Sequence, residues 1–289
     1  MENTNTKDSI RPKHYFEDYF VHQIRQTLLA MDPTQFDAKD LEQLRNSNDW
    51  FIRRFLAWRP TDLSEAIDTM IDVLRWRKSI DINRWQDADF PMEFYQLAGF
   101  FPYLPDREDT NILIVRIRVN RKEPLGIVSL ESMVRNFFIH TIEKIVAQNP
   151  NRGFALLFDC SKASLANVDI DLAKFIITTL TKYYSGAISY VYVYELPWIL
   201  NQIWRLIRSW LSEDARSLIR FINKSSIQEF IDPNHLPDYM GGMSSKEYRS
   251  IPKDTISLQE MIAKQKLIIA NQNDRLLLLR HFEKLIEIK

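Results

Sequence analysis

Residues 190–211 read YVYVYELPWILNQIWRLIRSWL, and this one stretch contains the signals of a strand, a turn and a helix. The Tyr/Val alternation is typical of a β-strand, and the Pro-Trp pair at 197–198 belongs to a turn. Beyond the turn, apolar residues recur at helical spacing in two adjacent stripes, Ile199/Ile203/Leu206/Trp210 and Leu200/Trp204/Ile207/Leu211. So wide an apolar face predicts that the helix covers either a packed core or a cavity that holds an apolar ligand.

Strand and helix patterns alternate on both sides of this stretch. Residues 112–119 and 154–159 read as strands, and an amphipathic helix pattern follows each of them. In the first of these strands, Arg116 and Arg118 share one face and four apolar residues share the other. Residues 218–222 form one more strand pattern. This alternation predicts an α/β fold with a mainly parallel sheet and right-handed crossovers.

The N-terminal part of the chain reads as a small helical bundle. Residues 15–85 interleave charged and apolar residues without strand-like alternation. A capping-box pattern at Thr61-Asp62-Leu63-Ser64-Glu65 predicts the start of one helix. The buried face predicted for that helix consists of Ile67, Met70, Ile71 and Leu74.

The C-terminal part is also helical in pattern. Ile262, Ile269 and Leu276 lie seven residues apart, which is typical of a coiled-coil seam. A helical hairpin that packs on the body of the protein is the alternative, and we favour it because the repeat is short. The sequence thus predicts three zones, a helical lead-in at 13–90, a sheet core at 91–243 and a helical extension at 244–289.

Composition indicates an ordinary globular protein. The 289 residues are 45% hydrophobic and 26% charged, and 38 basic residues balance 38 acidic ones, so no global field favours nucleic acid. A single cysteine, Cys160, excludes an internal disulfide. The N-terminus is polar, and no run approaches the ~18 apolar residues that span a bilayer. We expect a cytoplasmic protein with neither a signal peptide nor a transmembrane helix.

Motifs of catalysis are missing from the sequence. The six glycines form no phosphate-binding loop, no Gly-x-Ser-x-Gly elbow occurs, and the five histidines are scattered without metal-ligand spacing. Asp159-Cys160-Ser161 follows a predicted strand, but a capping Asp beside a buried Cys explains it better than a nucleophile. The sequence therefore predicts no catalytic residue, no metal site and no cofactor.

Five segments of the sequence match one known family in order and spacing. Asn48–Arg59 (NDWFIRRFLAWR) and Leu74–Lys78 (LRWRK) look like the helical lead-in of that family. Phe154–Asp159, Glu195–Trp198 and His235–Gly242 (HLPDYMGG) look like its core. Each segment alone is weak, but together they are in register over much of the chain, and they resemble the CRAL-TRIO family of lipid-binding proteins.

The resemblance implies a CRAL-TRIO fold, in which the sheet is the floor of an apolar pocket and the helix after the Pro-Trp turn is its gate. It also implies that the ligand is a phospholipid or related lipid, bound and moved between membranes or presented there without covalent chemistry. The alternative is a protein-interaction scaffold at membrane contact sites, with a pocket filled by side chains and a protein partner on the C-terminal helices. The sequence contains no further domain or membrane anchor, so we expect a stand-alone module.

The site predicted from the resemblance has two parts. The lipid-binding and gate residues are expected to be Phe158, Tyr192, Tyr194, Trp198, Ile199, Ile203, Trp204, Ile207, Leu211 and Leu218. Contact with a headgroup or a transient membrane surface is expected from Arg59, Arg205 and Arg208.

Three positions depart from the pattern of family members that bind phosphatidylinositol. Those members have Glu, Thr and Lys where this chain has Gly186, Ala215 and Leu218. An Arg-Lys pair of the lead-in is replaced by Arg59-Pro60. Loss of the hydroxyl and the ammonium removes charge-assisted bonds to an inositol phosphate, so another headgroup or a neutral lipid is expected.

Overall fold

The computed structural model describes residues 18–46, 49–56, 62–121, 126–149, 151–269 and 271–288. Contacts within the chain divide it into two compact units, Met1–Lys78 and Ser79–Lys289. The boundary predicted from the sequence, at residue 90, lies further along the chain.

The described part of the first unit is helical, as the sequence predicts. Its helices are α1 (Asp18–Ala30), α2 (Ala38–Asn46), α3 (Trp50–Leu56) and α4 (Leu63–Ser79). α4 begins where predicted, because the Asp62 carboxylate accepts a hydrogen bond from the backbone N–H of Glu65 at 3.0 Å.

The buried face of α4 is rotated from the predicted one. Met70 and Leu74 are buried as expected, but Ile67 and Ile71 are only half-buried. The face turns instead toward Arg77, whose Nε lies 2.9 Å from Asp40 Oδ1. Burial of this ion pair requires both partners to face inward, which apolar periodicity alone does not reveal.

The second unit is built on a five-stranded sheet. Its strands are β1 (Phe100–Tyr103), β2 (Ile112–Arg116), β3 (Phe154–Asp159), β4 (Ile188–Tyr194) and β5 (Ile219–Ile222). They lie in chain order, with β1 antiparallel to β2 and the other neighbours parallel. This arrangement confirms the predicted α/β fold with a mainly parallel sheet.

Eight described α-helices accompany the sheet. They are α5 (Met92–Leu97), α6 (Val128–Gln148), α7 (Ile170–Thr178), α8 (Asn201–Ser209), α9 (Glu213–Ser217), α10 (Ile227–Phe230), α11 (Leu258–Ala263) and α12 (Gln272–Ile286). α7 continues into π-helical turns at Thr179–Tyr183. The predicted crossover helices correspond to α6 and α7, and the amphipathic helix of the opening stretch is α8.

The strands differ from the sequence prediction in two places. β1 was not predicted, because it has four residues and contains Pro102, which a sheet tolerates only at an edge such as this one. The strand predicted at 112–119 ends at Arg116, and Ile117–Val119 turn as a 3₁₀ helix.

The two faces of the sheet have different neighbours. Side chains such as Ile114, Leu157 and Tyr192 lie on one face and pack with Leu236 and Met240 of the following loops. Residues one position away along each strand lie on the other face, toward α6, α7 and α8. This second face is the one that borders a cavity.

The C-terminal helices pack on the core of the second unit. α11 and α12 join one apolar cluster with Phe90, Phe94 and Phe137, and the rings of Phe94 and Phe282 stack at 5.9 Å. Leu276 is 48% exposed, whereas the residues seven and fourteen positions before it are buried. The heptad spacing therefore forms no continuous seam, and the extension is the packed helical pair.

Candidate functional site

An apolar cavity of about 310 Å³ lies between the sheet and the helices of the second unit. Its floor consists of strand side chains, Val115, Leu156, Phe158, Val191, Val193 and Ile219. Its walls come from α6, α7, α8 and α12, with Val134, Phe137, Leu172, Ile176, Ile203, Ile207, Phe282 and Leu285 among the lining residues. This volume lies at the lower end of the range of ligand pockets, and the lining suits a hydrophobic molecule.

α8 covers the cavity without being buried itself. Ile203, Trp204 and Ile207 line the cavity, as does Leu211 just beyond the helix. No residue of α8 is fully buried. The Trp204 ring packs edge-on against Phe221 at 5.1 Å, and Phe221 is itself half-exposed. A helix held by so few buried contacts costs little to displace.

Two predicted gate residues of this stretch, Trp198 and Ile199, are not among the residues that line the cavity, and neither is Leu206. Trp198 is 81% exposed, and Ile199 and Leu206 are both 42% exposed. The exposed side of α8 also carries Arg205 and Arg208. The stretch therefore has an apolar side toward the cavity and a second, mixed apolar and basic side toward solvent.

Tyr192 and Tyr194 lie on the opposite face of the sheet from the cavity, contrary to expectation. Because neighbouring residues of a strand alternate, Val191 and Val193 line the cavity instead. Tyr192 is 1% exposed, and its hydroxyl donates a hydrogen bond to Asp106 Oδ2 at 3.2 Å. Burial raises the pKa of Tyr192, so this phenol remains a neutral donor. The two tyrosines belong to the apolar cluster on the opposite face of the sheet and do not line the cavity.

The remaining predicted residues are placed as follows. Phe158 and Leu218 line the cavity, and Ala215 does so too. Gly186 has a backbone φ of +69° and is not among the lining residues. Arg59 lies outside the described residues.

Two polar side chains of the cavity wall, Asn167 and Asp169, are hydrogen-bonded within the protein. The Asn167 amide donates to the carbonyls of Arg118 and Asn120 at 2.8 and 3.1 Å, and Asp169 caps α7 by accepting from Leu172 N at 2.9 Å. Burial raises the pKa of the Cys160 thiol to about 12, so it is a protonated, inert lining group. The rest of the lining is mainly apolar, with Arg116 and Arg121 among its members.

Sequence reasoning missed the part of the site that α12 supplies. Phe282 and Leu285 line the cavity although more than sixty residues separate them from α8 along the chain. Their helical spacing with the buried Leu278 was the available signal, because it indicates one apolar face on α12. The sequence gives no means of telling what that face covers.

Among the residues that the structure describes, no group of three or more His, Cys, Asp or Glu side chains is placed to hold a metal ion. No described helix combines the length and the apolar character needed to cross a bilayer.

A mainly parallel sheet beneath an apolar cavity, covered by a half-buried amphipathic helix, defines an α/β protein built to hold a hydrophobic ligand. A family model for the CRAL/TRIO domain matches residues 97–242, about half of the chain. The chain belongs to the CRAL/TRIO family, and the resemblance seen in its sequence is confirmed at this level.

Curated relatives and solved structures agree with this assignment. A CRAL-TRIO domain-containing protein of Schizosaccharomyces pombe is 24% identical over 212 residues, covering 69% of this chain and 47% of the relative. The phosphatidylinositol transfer protein CSR1 of Eremothecium gossypii is 26% identical over 204 residues, covering 67% of this chain and 47% of the relative. The chain thus spans about half the length of these relatives.

The crystal structure of Sfh5 shares the fold. Its TM-score is 0.61 at 14% sequence identity, and the match covers 89% of this chain and 100% of that chain.

Proposed function

We propose that this chain binds a phospholipid or a related lipid in the cavity beneath α8 and moves it between membranes or presents it there, without covalent chemistry. The apolar cavity of about 310 Å³ is the observation that carries this proposal. The name of the CSR1 relative, a phosphatidylinositol transfer protein, supports it.

Hydrophobic burial supplies enough free energy for such binding. Each buried methylene contributes about 0.8 kcal/mol, so an acyl segment of about ten methylenes contributes roughly 8 kcal/mol. That gain offsets the cost of opening the cavity and of confining a flexible chain. Affinity therefore requires no dedicated polar contact inside the cavity.

α8 acts as the gate in this proposal, and its solvent side contacts the membrane. Trp198, Ile199 and Leu206 are exposed apolar side chains beside the cavity cover. Arg205 and Arg208 lie on the same exposed side, where they can meet lipid phosphates. Insertion of this side into a bilayer interface draws α8 away from the cavity and lets the ligand exchange, so the protein acts as a cytoplasmic, peripherally associated carrier.

The polar end of the ligand differs from an inositol phosphate. Ala215 and Leu218 line the cavity where family members that bind phosphatidylinositol have a hydroxyl and an ammonium. Neither of these two side chains can donate a charge-assisted hydrogen bond. We therefore favour a neutral lipid or one with another headgroup.

Within the family, some stretches are similar to the CRAL-TRIO region of motile sperm domain-containing protein 2. They are Phe36–Gln43, Trp76–Lys78, Leu196–Asn201 and Ser209–Leu218. This likeness suggests work at membrane contacts, and it is a proposal drawn from those stretches alone.

The open cavity favours a carrier over a protein-interaction scaffold. A scaffold needs no void, and one left empty in a core is destabilising. The apolar residues Leu278, Phe282 and Leu285 of α12 are buried, and the exposed large apolar side chains on the described part of this helix are Leu276 and Leu277.

Filling the cavity from α8 tests the proposal. Ile203→Trp and Ile207→Trp are each expected to reduce uptake of a fluorescent acyl lipid from phosphatidylcholine vesicles at least tenfold, because the added ring occupies ligand space. Leu206→Trp is the matched control, since it introduces the same side chain on the exposed side of the same helix.

Circular dichroism and thermal melting establish that each variant is folded. If folded Ile203→Trp and Ile207→Trp proteins took up lipid as the parent does, the cavity would not be the binding site.

A further inference from the structure

Arginine and tyrosine side chains meet at the carboxyl ends of β2 and β3, on the sheet face that carries Ile114 and Leu157. Arg116 is the register partner of Asp159 across these strands. The guanidinium carbons of Arg116 and Arg118 lie 4.8 and 4.9 Å from the ring centroid of Tyr239. We call Arg116, Arg118, Asp159 and Tyr239 the arginine cluster.

The arginine cluster is almost completely shielded from water. Arg116 is 1% exposed, Arg118 is 5% exposed and Asp159 is 0% exposed. Arg116 Nη1 donates a hydrogen bond to the carbonyl of Leu97 at 3.0 Å. The Nε and Nη2 atoms of both arginines are buried without a hydrogen-bond partner, and so is the Tyr239 hydroxyl.

Asp159 forms no hydrogen bond with these arginines. Its Oδ1 accepts hydrogen bonds from the Ser161 N–H and hydroxyl at 3.0 and 2.5 Å, while Oδ2 is unpaired. Burial raises the pKa of Asp159, against the opposing effect of the Ser161 hydrogen bonds and of the Arg118 and Arg116 charges. The nearby Arg249 adds another positive charge and a further unpaired Nε. Donors and positive charge therefore exceed acceptors and negative charge in this cluster.

Ring contacts alone do not account for two buried guanidinium groups. Burial of an unpaired ion costs more than one or two cation–π contacts return. An oxyanion with several acceptor oxygens matches the planar fork of each guanidinium and satisfies the unpaired donors. The carboxyl ends of parallel strands are also where open α/β sheets most often bind ligands.

We propose that Arg116, Arg118 and Tyr239 form a binding site for a phosphate-class oxyanion on the sheet face opposite the floor of the hydrophobic cavity, which Arg116 also lines. The oxyanion is either a free phosphate or the phosphate of a lipid headgroup. Residues 241–257, which follow Tyr239 and include Tyr248 and Arg249 of the cluster's surroundings, contain no helix or strand. Local opening of this segment gives the anion access.

Binding of inorganic phosphate to the full chain tests the proposal. Sodium phosphate is titrated against sodium chloride at equal ionic strength, with ³¹P NMR and thermal melting as readouts. The parent is expected to bind saturably and to gain several degrees in Tm. Arg118→Gln should weaken binding at least tenfold. Tyr239→Phe, which keeps the ring and removes only the hydroxyl, should weaken it about threefold.

Arg84→Gln is the matched control, because Arg84 is an exposed arginine of the same unit. It should bind phosphate as the parent does, and so should Ile203→Trp, which fills the hydrophobic cavity. Failure of the lipid proposal would therefore leave this result unchanged. If Arg118→Gln does not fold, Tyr239→Phe alone decides the outcome.

A second arm separates the two sources of phosphate. Vesicles of phosphatidylcholine are compared with vesicles that also contain phosphatidylinositol 4-phosphate. Stronger binding to the latter than to phosphatidylcholine alone, with the difference reduced in Tyr239→Phe, would support the site with a lipid headgroup as its ligand. Absence of phosphate binding together with equal binding to the two kinds of vesicle, or binding that both cluster variants retain in full, would overturn the proposal.

Discussion

At the scale of single residues, the exposed position of Trp198 is the one that most needs a functional explanation. It is 81% exposed, more than any other large apolar side chain in the described ranges. A tryptophan has both an apolar body and an N–H donor, which suits the interface between membrane and water. Because Trp198 lies directly before the helix that covers the cavity, we propose that its membrane contact is coupled to ligand exchange.

Replacement of this residue should therefore weaken membrane association and leave the fold intact. Trp198→Ser is expected to reduce binding to phosphatidylcholine vesicles about tenfold, since an inserted large apolar side chain contributes at least ~1.5 kcal/mol. Vesicle co-flotation measures this effect. Ile268→Ser, at a residue that is 76% exposed in another element, should bind vesicles as the parent does. Equal losses in the two variants would argue against a specific role for Trp198.

At the scale of elements, α12 has a structural role in the site that its sequence does not disclose. Phe282 stacks on Phe94 and also lines the cavity, so α12 is both a wall of the site and a part of the core. The exposed side of the same helix carries Leu276 and Leu277.

Truncation on these two sides of α12 should have very different effects. Phe282→Ala is expected to lower the free energy of unfolding by about 3 kcal/mol, because it removes ring contacts and enlarges a void. Leu277→Ala, at a residue that is 47% exposed, should change it by less than about 0.5 kcal/mol. Urea denaturation measures both, and similar losses would show that α12 does not pack as described.

A second inter-element contact makes stability depend on pH. Asp87 precedes α5, and its carboxylate lies 2.7 Å from His140 Nε2 and 2.8 Å from Lys144 Nζ of α6. The hydrogen bond from His140 and then that from Lys144 hold the pKa of Asp87 well below its ordinary value of 3.8, against the opposing effect of burial.

The sign of the effect follows from this direction. A carboxyl whose pKa is lower in the folded state stabilises the fold above its unfolded pKa, and that stabilisation is lost as the pH falls through the folded value. Asp87→Asn should therefore lose less stability than the parent as the pH is lowered below about 4. Thermal melting across that range measures the slope, and Asp81→Asn, at an exposed residue, should keep the parent's slope. An unchanged slope in Asp87→Asn would refute this account of the contact.

The sequence predicted the elements that depend on a local pattern of residues. β3 has the predicted limits, because a continuous apolar run that ends in Asp159 describes a strand buried on both faces. Helical periodicity predicted the apolar faces of α8, and the family resemblance added that Ile203 and Ile207 face a pocket; both side chains line the cavity.

The features that the sequence did not predict depend on contacts between distant parts of the chain. Strand alternation separates Tyr192 from Val193, but it does not tell which face meets the cavity and which meets Leu236. It likewise puts Arg116 on one face without showing that Tyr239, far along the chain, buries it. Such facts belong to the tertiary structure.

At the scale of the whole molecule, the second unit places two different ligand environments on opposite sides of one sheet. One side has an apolar cavity beneath a loosely held helix, and the other has a buried cluster rich in cationic donors. We propose that the cavity holds a lipid in the working protein.

The most direct test is native mass spectrometry with lipid extraction, on the full chain purified without detergent from its own cell type. One hydrophobic molecule per chain is expected in the parent, and none is expected in the Ile203→Trp variant. A parent chain that carries no lipid, and that takes up none from vesicles, would contradict lipid binding in the cavity.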